Sequence, residues 1–118
     1  MRYLKNLHTD PHYNMAFDEY CLESLPVDEP VFYLWQNKPS VIVGFNQEVN
    51  TEVNLDYLNQ QGITLARRVT GGGAVYHDLG NLNFSFVADK KIYDVNRQMT
   101  VIQKALLNYG LETEVSGR

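Results

Sequence analysis

The sequence predicts an α+β domain, a two-layer α/β arrangement in which helices flank a mixed, largely antiparallel sheet. Hydrophobic patterns of helical and strand period follow one another in the order helix, strand, strand, helix, strand, strand, helix, strand. The 118 residues, 44% hydrophobic and 20% charged, suffice for one modest core. No repeat, low-complexity segment or flexible linker interrupts them. We therefore expect residues 1–118 to belong to one domain without an internal boundary.

The first predicted element is a helix over residues 12–24. Asp10 is a favourable N-cap, and Pro11 fits the first helical position. Pro26 and Pro30 are expected to end the helix. Residues at a spacing of four define the face that we expect to be buried, namely Tyr13, Phe17, Cys21 and Leu25.

Two apolar runs follow, at residues 31–36 and 41–45. Both runs are apolar on their two faces, which is typical of strands inside a sheet. The intervening residues 37–40 include an asparagine and a proline, as turns often do. The two runs are therefore predicted to pair as a buried antiparallel hairpin.

A short helix and a further strand are predicted in the middle of the chain. Thr51 or Asn54 is expected to cap a helix through Leu55 and Leu58, and Gly62 is placed just past its end. Residues 63–69 then return to strand character.

Two more strands and one helix complete the predicted elements. In the strand after the glycine run, we expect Leu82, Phe84 and Phe86 to face the core and Asn83 and Ser85 to face away. Asp94 should cap a helix with the apolar stripe Val95, Met99, Ile102, Leu106 and Tyr109, ended by Gly110. Residues 111–115 begin a strand, and no closing element follows, which suggests an incomplete domain.

Composition excludes several classes of function. A formal charge of −4 argues against nucleic acid as a partner, and no apolar run reaches the ~18 residues of a membrane span. The N-terminus has no secretory signal pattern, and Cys21 is the only cysteine, which fits a reducing compartment. We expect a cytoplasmic protein.

The most informative segment is residues 67–78, which read RRVTGGGAVYHD. A P-loop is excluded because no Lys-Ser or Lys-Thr pair follows the glycines, and a dinucleotide fingerprint is excluded because Tyr76 stands where a glycine is required. What remains is a strand, glycine loop, strand element whose backbone N–H groups can hold a nucleotide. The alternative is a glycine-rich hairpin turn. Arg67 and Arg68 point to opposite sides of a strand, so one should face the loop and the other should be a surface charge.

Other reactive side chains give weaker signals. His77 and Asp78 are neighbours on a strand and should not act on each other. No spacing of histidines and carboxylates suggests a metal site, and Cys21 fits a small core residue. Aromatic residues of the apolar runs either line a slot for an acyl chain or belong to the core, namely Tyr33, Trp35 and Phe45.

Residues 67–81, RRVTGGGAVYHDLGN, resemble the signature of the lipoate-protein ligases. The resemblance extends to residues 14–19 (NMAFDE), 34–37 (LWQN), 41–44 (VIVG), 83–86 (NFSF) and 116–118 (SGR). It implies a biotin/lipoate-ligase-like fold of which this chain is the N-terminal part.

The resemblance also implies a chemistry. Lipoate-protein ligases combine lipoate with ATP into lipoyl-AMP, with Mg²⁺, and pass the lipoyl group to a lysine of a carrier domain. The implied partners are the lipoyl domains of 2-oxoacid dehydrogenase complexes and the glycine-cleavage carrier protein. The implied ATP contacts are Arg68, Gly73, Ala74, Val75 and Tyr76. The implied lipoyl-adenylate pocket is formed by Gly71, Gly72, His77, Trp35 and Asn83.

By the same resemblance, the essential lysine and the Asn-Asp pair that helps to hold magnesium lie beyond Arg118. We therefore expect no catalytic residue within residues 1–118, and little or no activity from this segment without the remaining part of the ligase. Two alternatives stay open. One is an octanoyl or lipoyl acyltransferase of the same fold that works through a cysteine without ATP, a role for which Cys21 is badly placed. The other is a non-catalytic half of a split ligase.

Overall fold

The computed structural model describes residues 1–25 and 28–116, and the chain divides into two compact units, Met1–Val87 and Ala88–Arg118. The elements of the first unit are β1 (Arg2–Lys5), α1 (Pro11–Ser24), β2 (Val31–Trp35), β3 (Ser40–Val43), α2 (Val49–Glu52), α3 (Leu55–Gln61), β4 (Thr64–Arg67), β5 (Val75–His77) and β6 (Asn83–Val87). The second unit contains α4 (Val95–Leu107). In the described ranges, no helix has the length and apolar character needed to cross a membrane.

The strands form two sheets of three strands each. In the first sheet, β2 lies between β1, to which it is parallel, and β6, to which it is antiparallel. In the second sheet, β3 lies between β4, which is parallel, and β5, which is antiparallel. The predicted α+β class with mixed strand pairing is confirmed. β1 and α2 were not predicted.

The predicted hairpin of β2 with β3 is wrong, because the two strands belong to different sheets. The segment between them is anchored in the interior instead of forming a tight turn. Asn37 and Ser40 are fully buried, and the backbone N–H of Lys38 donates to the carbonyl of Thr9, 2.8 Å away. Residues 37–39 thus carry the chain from one sheet to the other, which is the step that positions the candidate site.

Helix α1 begins as predicted. The Asp10 side chain accepts a hydrogen bond from the backbone N–H of Tyr13 at 2.9 Å. The predicted buried face is partly wrong, since Tyr13 is 44% exposed while Asn14 and Met15 are buried. Hydrogen bonds to the Gln36 carbonyl and to Asn37 hold Asn14 in the interior. The buried face of α1 therefore differs from the predicted one. The helix ends at Ser24 as expected, and Pro26 lies outside the described residues.

The core of the first unit consists of two clusters under α1. Met15, Ile42 and Ala66 form one, and Cys21, Val31 and Tyr33 form the other. Trp35 packs against both clusters, so it lies where the two sheets approach each other. Helix α1 contacts β4 of one sheet and β6 of the other.

Capping of α3 is as predicted, and β4 is shorter than predicted. The Asn54 side chain accepts from the N–H of Tyr57 at 3.0 Å, and Gly62 ends α3 in the left-handed conformation with φ 64°. Thr51, the other candidate cap, lies inside α2. β4 spans only part of the predicted 63–69.

The predicted faces of β6 are reversed. Phe84 is 40% exposed and Leu82 is 62% exposed, whereas the Ser85 hydroxyl donates to Asp18 of α1 at 3.2 Å. Alternation gives the two faces but not which one is buried. Here hydrogen bonds to α1 turn the polar face inward.

In the second unit, α4 is capped by Asp94 as predicted, with an Arg97 N–H donor at 3.1 Å. Tyr109 lies past the end of the helix and is exposed, so its place in the helical stripe was wrong. The predicted strand at residues 111–115 is also wrong, because a strand needs a paired neighbour and no described segment pairs with it. Gly117 and Arg118 lie outside the described residues.

Candidate functional site

The glycine loop, residues 68–74, crosses the end of β3. β4 and β5 pair with opposite sides of β3, with Val43 opposite Arg67 and Ile42 opposite Val75. Because β4 and β5 do not pair with each other, the loop is not a hairpin turn. The strand, loop, strand element predicted from the sequence is confirmed.

Arg68 occupies the inside of the glycine loop. Its Nε and Nη2 donate to the carbonyl of Gly71 at 3.1 and 2.9 Å, and Nη2 also donates to the carbonyl of Gly73 at 2.8 Å. Its Nη1 donates to the carbonyl of Ile42 at 3.3 Å. The guanidinium fork therefore holds the loop to β3. One of the two arginines was predicted to face the loop, and it is Arg68 that does so.

The fork of Arg68 also orients the N–H groups of the loop. The peptide bonds of the glycine loop are trans, and the C=O and N–H of a trans peptide point in opposite directions. Since the carbonyls of Gly71 and Gly73 point at Arg68, the N–H groups of Gly72 and Ala74 point away from it. Two backbone donors of this loop thus point to the side opposite Arg68, and Gly72 itself is exposed.

Arg67 is not the simple surface charge that strand alternation predicted. Its Nη1 donates to the carbonyls of Gly44, Phe45 and Gln47 at 2.8, 3.1 and 2.8 Å. The Gln47 side chain in turn accepts from the N–H of Gly44 at 2.8 Å. Arg67 therefore fixes the 44–47 turn that follows β3.

The 44–47 turn and the glycine loop are in direct contact. The N–H of Phe45 donates to the carbonyl of Thr70 at 2.9 Å. A Cβ on Gly44 would collide with the carbonyl oxygen of Gly72, so only glycine lets the loop approach this closely. Gly72 itself has φ 104°, which favours glycine, while a Cβ on Gly71 or Gly73 would meet no atom within 4 Å.

His77 is held by two side chains. Asn37 Nδ2 lies 3.1 Å from Nδ1 of His77, and the Trp35 ring meets the imidazole edge to face at a centroid distance of 5.6 Å. Burial lowers the pKa of His77 from its usual value near 6.5, and the Arg68 charge lowers it further. The imidazole is therefore neutral at pH 7. Asp78 bonds elsewhere, to the N–H of Gly80, so the two neighbours do not act on each other.

Trp35 connects His77 to a second polar group. Its indole N–H donates to Ser85 at 3.1 Å, and Asp18 accepts hydrogen bonds from Ser85 and from the Tyr33 hydroxyl. Burial raises the pKa of Tyr33, and the neighbouring Asp18 carboxylate raises it further. Asn83 lies opposite Trp35 across the strands, and its buried Nδ2 has no hydrogen-bond partner in the described part of the chain.

A cavity of about 190 Å³ opens beside Trp35. Its walls include Leu34, Leu82 and Asn6. Tyr33 was predicted either to line a slot for an acyl chain or to belong to the core. It is 1% exposed and belongs to the core. Phe45 is 60% exposed beside the glycine loop.

Comparison with known proteins decides the family. The family model described as the lipoyl protein ligase A/B catalytic domain matches residues 10–118. This chain belongs to that family.

Two curated relatives illustrate its range. Lipoate–protein ligase 1 of Staphylococcus aureus is 43% identical over 122 aligned positions, covering 100% of this chain and 37% of that protein. Mitochondrial lipoyl amidotransferase LIPT1 of Mus musculus is 40% identical over 104, covering 87% of this chain and 28% of that protein. The chain thus spans about a third of the length of these relatives.

Three solved structures share the fold. LipL1 of P. falciparum in complex with lipoate has a TM-score of 0.88 and 31% identity, covering 98% of this chain and 38% of that one. A lipoate-protein ligase A bound with ATP has a TM-score of 0.77 and 35% identity, covering 99% and 52%. A bi-partite lipoate protein ligase from Thermoplasma acidophilum, described with its E2 lipoyl domain, has a TM-score of 0.79 and 36% identity, covering 98% and 49%. The predicted biotin/lipoate-ligase-like fold is confirmed.

The structure brings the predicted residues together in two groups. Arg68, Gly71, Gly72, Gly73 and Ala74 form the loop, while Trp35, His77 and Asn83 lie at the junction of the two sheets. Val75 and Tyr76, on β5, are 43% and 49% exposed. Contact of any of them with a ligand stays a prediction.

Four residues organise the site although the sequence did not predict this role for them, namely Asn14, Asp18, Asn37 and Gly44. For Gly44 a signal existed, because a glycine directly after a buried strand often marks close approach of another backbone. The two asparagines gave none, since a buried amide cannot be told from an exposed one without its partners.

Proposed function

We propose that the protein containing this chain is an ATP-dependent lipoate-protein ligase, which activates lipoate to lipoyl-AMP and transfers the lipoyl group to a carrier lysine. The observation that carries the proposal is the orientation of the glycine loop. Arg68 holds the carbonyls of Gly71 and Gly73, so the N–H groups of Gly72 and Ala74 point to the opposite side of the loop. Backbone N–H groups presented by a glycine loop suit a phosphate.

Adenylation joins a carboxylate oxygen of lipoate to the α-phosphorus of ATP and releases pyrophosphate. Negative charge on the phosphate oxygens grows in the transition state, and preorganised donors stabilise it. In this proposal, the N–H groups of Gly72 and Ala74 supply these donors. The neighbouring Gly73, Val75 and Tyr76 complete the ATP contacts. The Arg68 charge adds to the local positive potential while its fork keeps the loop in shape.

We propose that the lipoyl side of the adenylate lies at the junction of the two sheets, with Gly71 and Gly72 close to it. Trp35 and His77 give this junction an aromatic surface, and the cavity beside Trp35 is lined by leucines together with polar residues such as Asn6 and Gln36. Asn83 Nδ2 is a buried donor without a described partner, which a carbonyl oxygen of the ligand would satisfy. These features support a lipoyl-adenylate pocket here.

The described residues do not provide a binding site for magnesium. Within residues 1–25 and 28–116, no group of three or more histidine, cysteine, aspartate or glutamate side chains could hold a metal ion. We derive no step through Mg²⁺ from them. The remaining part of the protein is where we place the metal ligands and the essential lysine, and we propose that residues 1–118 alone are inactive.

The carrier partners follow from the transfer step. We assign lipoyl domains of 2-oxoacid dehydrogenase complexes and the glycine-cleavage carrier protein as acceptors, in the cytoplasm. One solved relative was described with its E2 lipoyl domain, which supports the first of these. The net charge of −4 gives no support to nucleic acid as a partner.

A second candidate function is transfer of a lipoyl or octanoyl group from one carrier to another without ATP. The name of the mouse relative, a lipoyl amidotransferase, favours it. Cys21 does not support a cysteine-dependent version, since it is 1% exposed and burial, followed by the Asp18 charge, raises its pKa. A split ligase, the other alternative, has a precedent in the bi-partite enzyme.

The test is lipoylation of an apo lipoyl domain by the intact protein, with lipoate and with or without ATP, followed by mass spectrometry. We expect lipoylated carrier and AMP only when ATP is present. Residues 1–118 alone should give neither product. Efficient lipoylation by the segment alone would contradict its proposed inactivity, and ATP-independent transfer from a lipoylated donor would favour the second function.

A further inference from the structure

We infer that three buried asparagines joined by hydrogen bonds, Asn6, Asn14 and Asn37, fix His77 in the tautomer that carries its proton on Nε2. We call these three residues the asparagine ladder. Asn37 is then a positioning residue, and His77 presents a neutral N–H donor. The role of that donor toward a carbonyl or phosphate oxygen of the adenylate rests on the proposed function. The tautomer itself does not.

The ladder begins at backbone groups whose polarity is fixed. The N–H of His8 donates to Asn6 Oδ1 at 3.0 Å, which leaves Asn6 Nδ2 to donate to Asn14 Oδ1 at 2.8 Å. From the other side, the carbonyls of His8 and Gln36 lie 3.1 and 2.8 Å from Asn14 Nδ2. A carbonyl can only accept, so the amide of Asn14 is oriented twice over, by independent contacts.

The orientation passes from Asn14 to His77. The two N–H bonds of Asn14 Nδ2 are shared among three oxygens, and Asn37 is the nearest of these partners, at 2.7 Å. An NH₂ group cannot accept, so the Asn37 atom that faces it is Oδ1. Nδ2 of Asn37 is therefore the atom that faces Nδ1 of His77, at 3.1 Å. An amide nitrogen only donates, so Nδ1 accepts, and the proton of the neutral ring sits on Nε2.

Burial makes this order persist. Asn37 is 0% exposed and Asn14 is 2% exposed, so water does not compete for their hydrogen bonds. A reversed Asn37 amide would set two NH₂ groups against each other inside the protein, which is unfavourable. Trp35 packs on the imidazole and limits rotation of the ring. In the described ranges, no hydrogen-bond partner meets Nε2.

The deciding variant is Asn37→Asp. It keeps the oxygen that accepts from Asn14 and replaces only the NH₂ that donates to His77, so the carboxylate would accept from Nδ1–H instead. Asn59→Asp makes the same charge change on the exposed surface of α3 and serves as control. The intact protein is labelled with ¹⁵N-histidine, and His77→Gln assigns the His77 signals.

At a pH where the ring is neutral, we expect Nδ1 of His77 to resonate as a nitrogen without a proton and Nε2 as a protonated one. Asn37→Asp should transfer the proton to Nδ1, and Asn59→Asp should change nothing. A wild-type His77 protonated on Nδ1, or a mixture like that of free histidine, would overturn the inference. If Asn37→Asp fails to fold, the wild-type spectrum still decides.

Activity separates the two proposals. If the tautomer is as inferred and Asn37→Asp slows lipoyl-AMP formation about tenfold or more while Asn59→Asp does not, His77 acts as donor in the proposed reaction. If the tautomer is as inferred but the wild-type protein forms no adenylate, the proposed function fails and the positioning role stands.

Discussion

Gly44 and Gly72 are in backbone contact, and a Cβ on Gly44 would collide with the carbonyl oxygen of Gly72. This contact, together with the bond from Phe45 N–H to Thr70, joins the turn after β3 to the glycine loop. The loop that carries the proposed ATP contacts is therefore shaped by residues outside it.

Gly44→Ala should displace the glycine loop, because the obstacle is backbone and not a flexible side chain. We expect the free energy of unfolding to fall by about 1–3 kcal/mol. The control is Gly71→Ala, where a Cβ meets no atom within 4 Å and the change should stay within about 0.5 kcal/mol. Chemical denaturation measures both, and equal effects would contradict the contact.

Arg67 and Arg68 should differ in their tolerance of lysine. Arg67 reaches three carbonyls through one nitrogen, Nη1, which an ammonium group can imitate. Arg68 uses three nitrogens in a planar fork, which lysine lacks. We expect Arg67→Lys to keep the rate of lipoyl-AMP formation within about threefold and Arg68→Lys to lower it about tenfold or more. Equal losses would refute the distinction.

Stability should depend on pH through His77. Its pKa is lowered in the folded protein by burial and then by Arg68, so near and below pH 6.5 the unfolded chain binds the proton more readily. The free energy of unfolding should therefore decline as the pH falls from 7 through 6.5, and level off below the folded pKa.

The same pH series on His77→Gln isolates this contribution, since every other titratable group is unchanged in the variant. We expect a smaller decline in the variant. A decline of the same size in both proteins would mean that His77 is not the group responsible.

Cys21 should be dispensable for catalysis and slow to react. It is 1% exposed, and its pKa is raised by burial and by the Asp18 charge, so little thiolate forms at pH 8. We expect Cys21→Ala to keep the rate of lipoyl transfer within about threefold. Mass spectrometry after alkylation of the native wild-type protein should show unmodified Cys21. An acyl group attached to Cys21 during turnover would contradict this account.

The Tyr33 hydroxyl should contribute to stability through Asp18. Tyr33→Phe removes a donor from a partly buried carboxylate, which we expect to lower the free energy of unfolding by about 1–3 kcal/mol. Tyr20→Phe, at a residue 56% exposed, is the matched control and should be close to neutral. Thermal unfolding of both variants checks the difference.

Local signals in the sequence predicted helices better than sheet organisation. The caps Asp10 and Asp94 and the end of α3 at Gly62 are set by residues within a few positions and were predicted. Asn54 was one of two candidate caps for α3, the other being Thr51. The division of the strands between two sheets depends on long-range contacts. Asn37 makes two such contacts, with partners 23 and 40 residues away in the chain. The local pattern of residues 37–40 could not reveal them.

The same difference between local signals and long-range contacts applies to the candidate site. The glycine loop follows from the spacing of its residues, and strand alternation predicts that one of the two arginines faces it. That this arginine is Arg68 was implied only by the family resemblance. The role of Arg67 does not, because its three acceptors lie in a turn more than 19 residues earlier in the chain. The inward polar face of β6 depends on Asp18 of α1, which alternation alone cannot show.

The central claim is that this loop serves activation of lipoate by ATP. The most direct measurement is lipoate-dependent exchange of labelled pyrophosphate into ATP by the intact wild-type protein, with Arg68→Lys as the matched variant. The account predicts exchange that requires lipoate and falls about tenfold or more in the variant. Absence of exchange in a wild-type protein that still transfers lipoyl groups between carriers would contradict it.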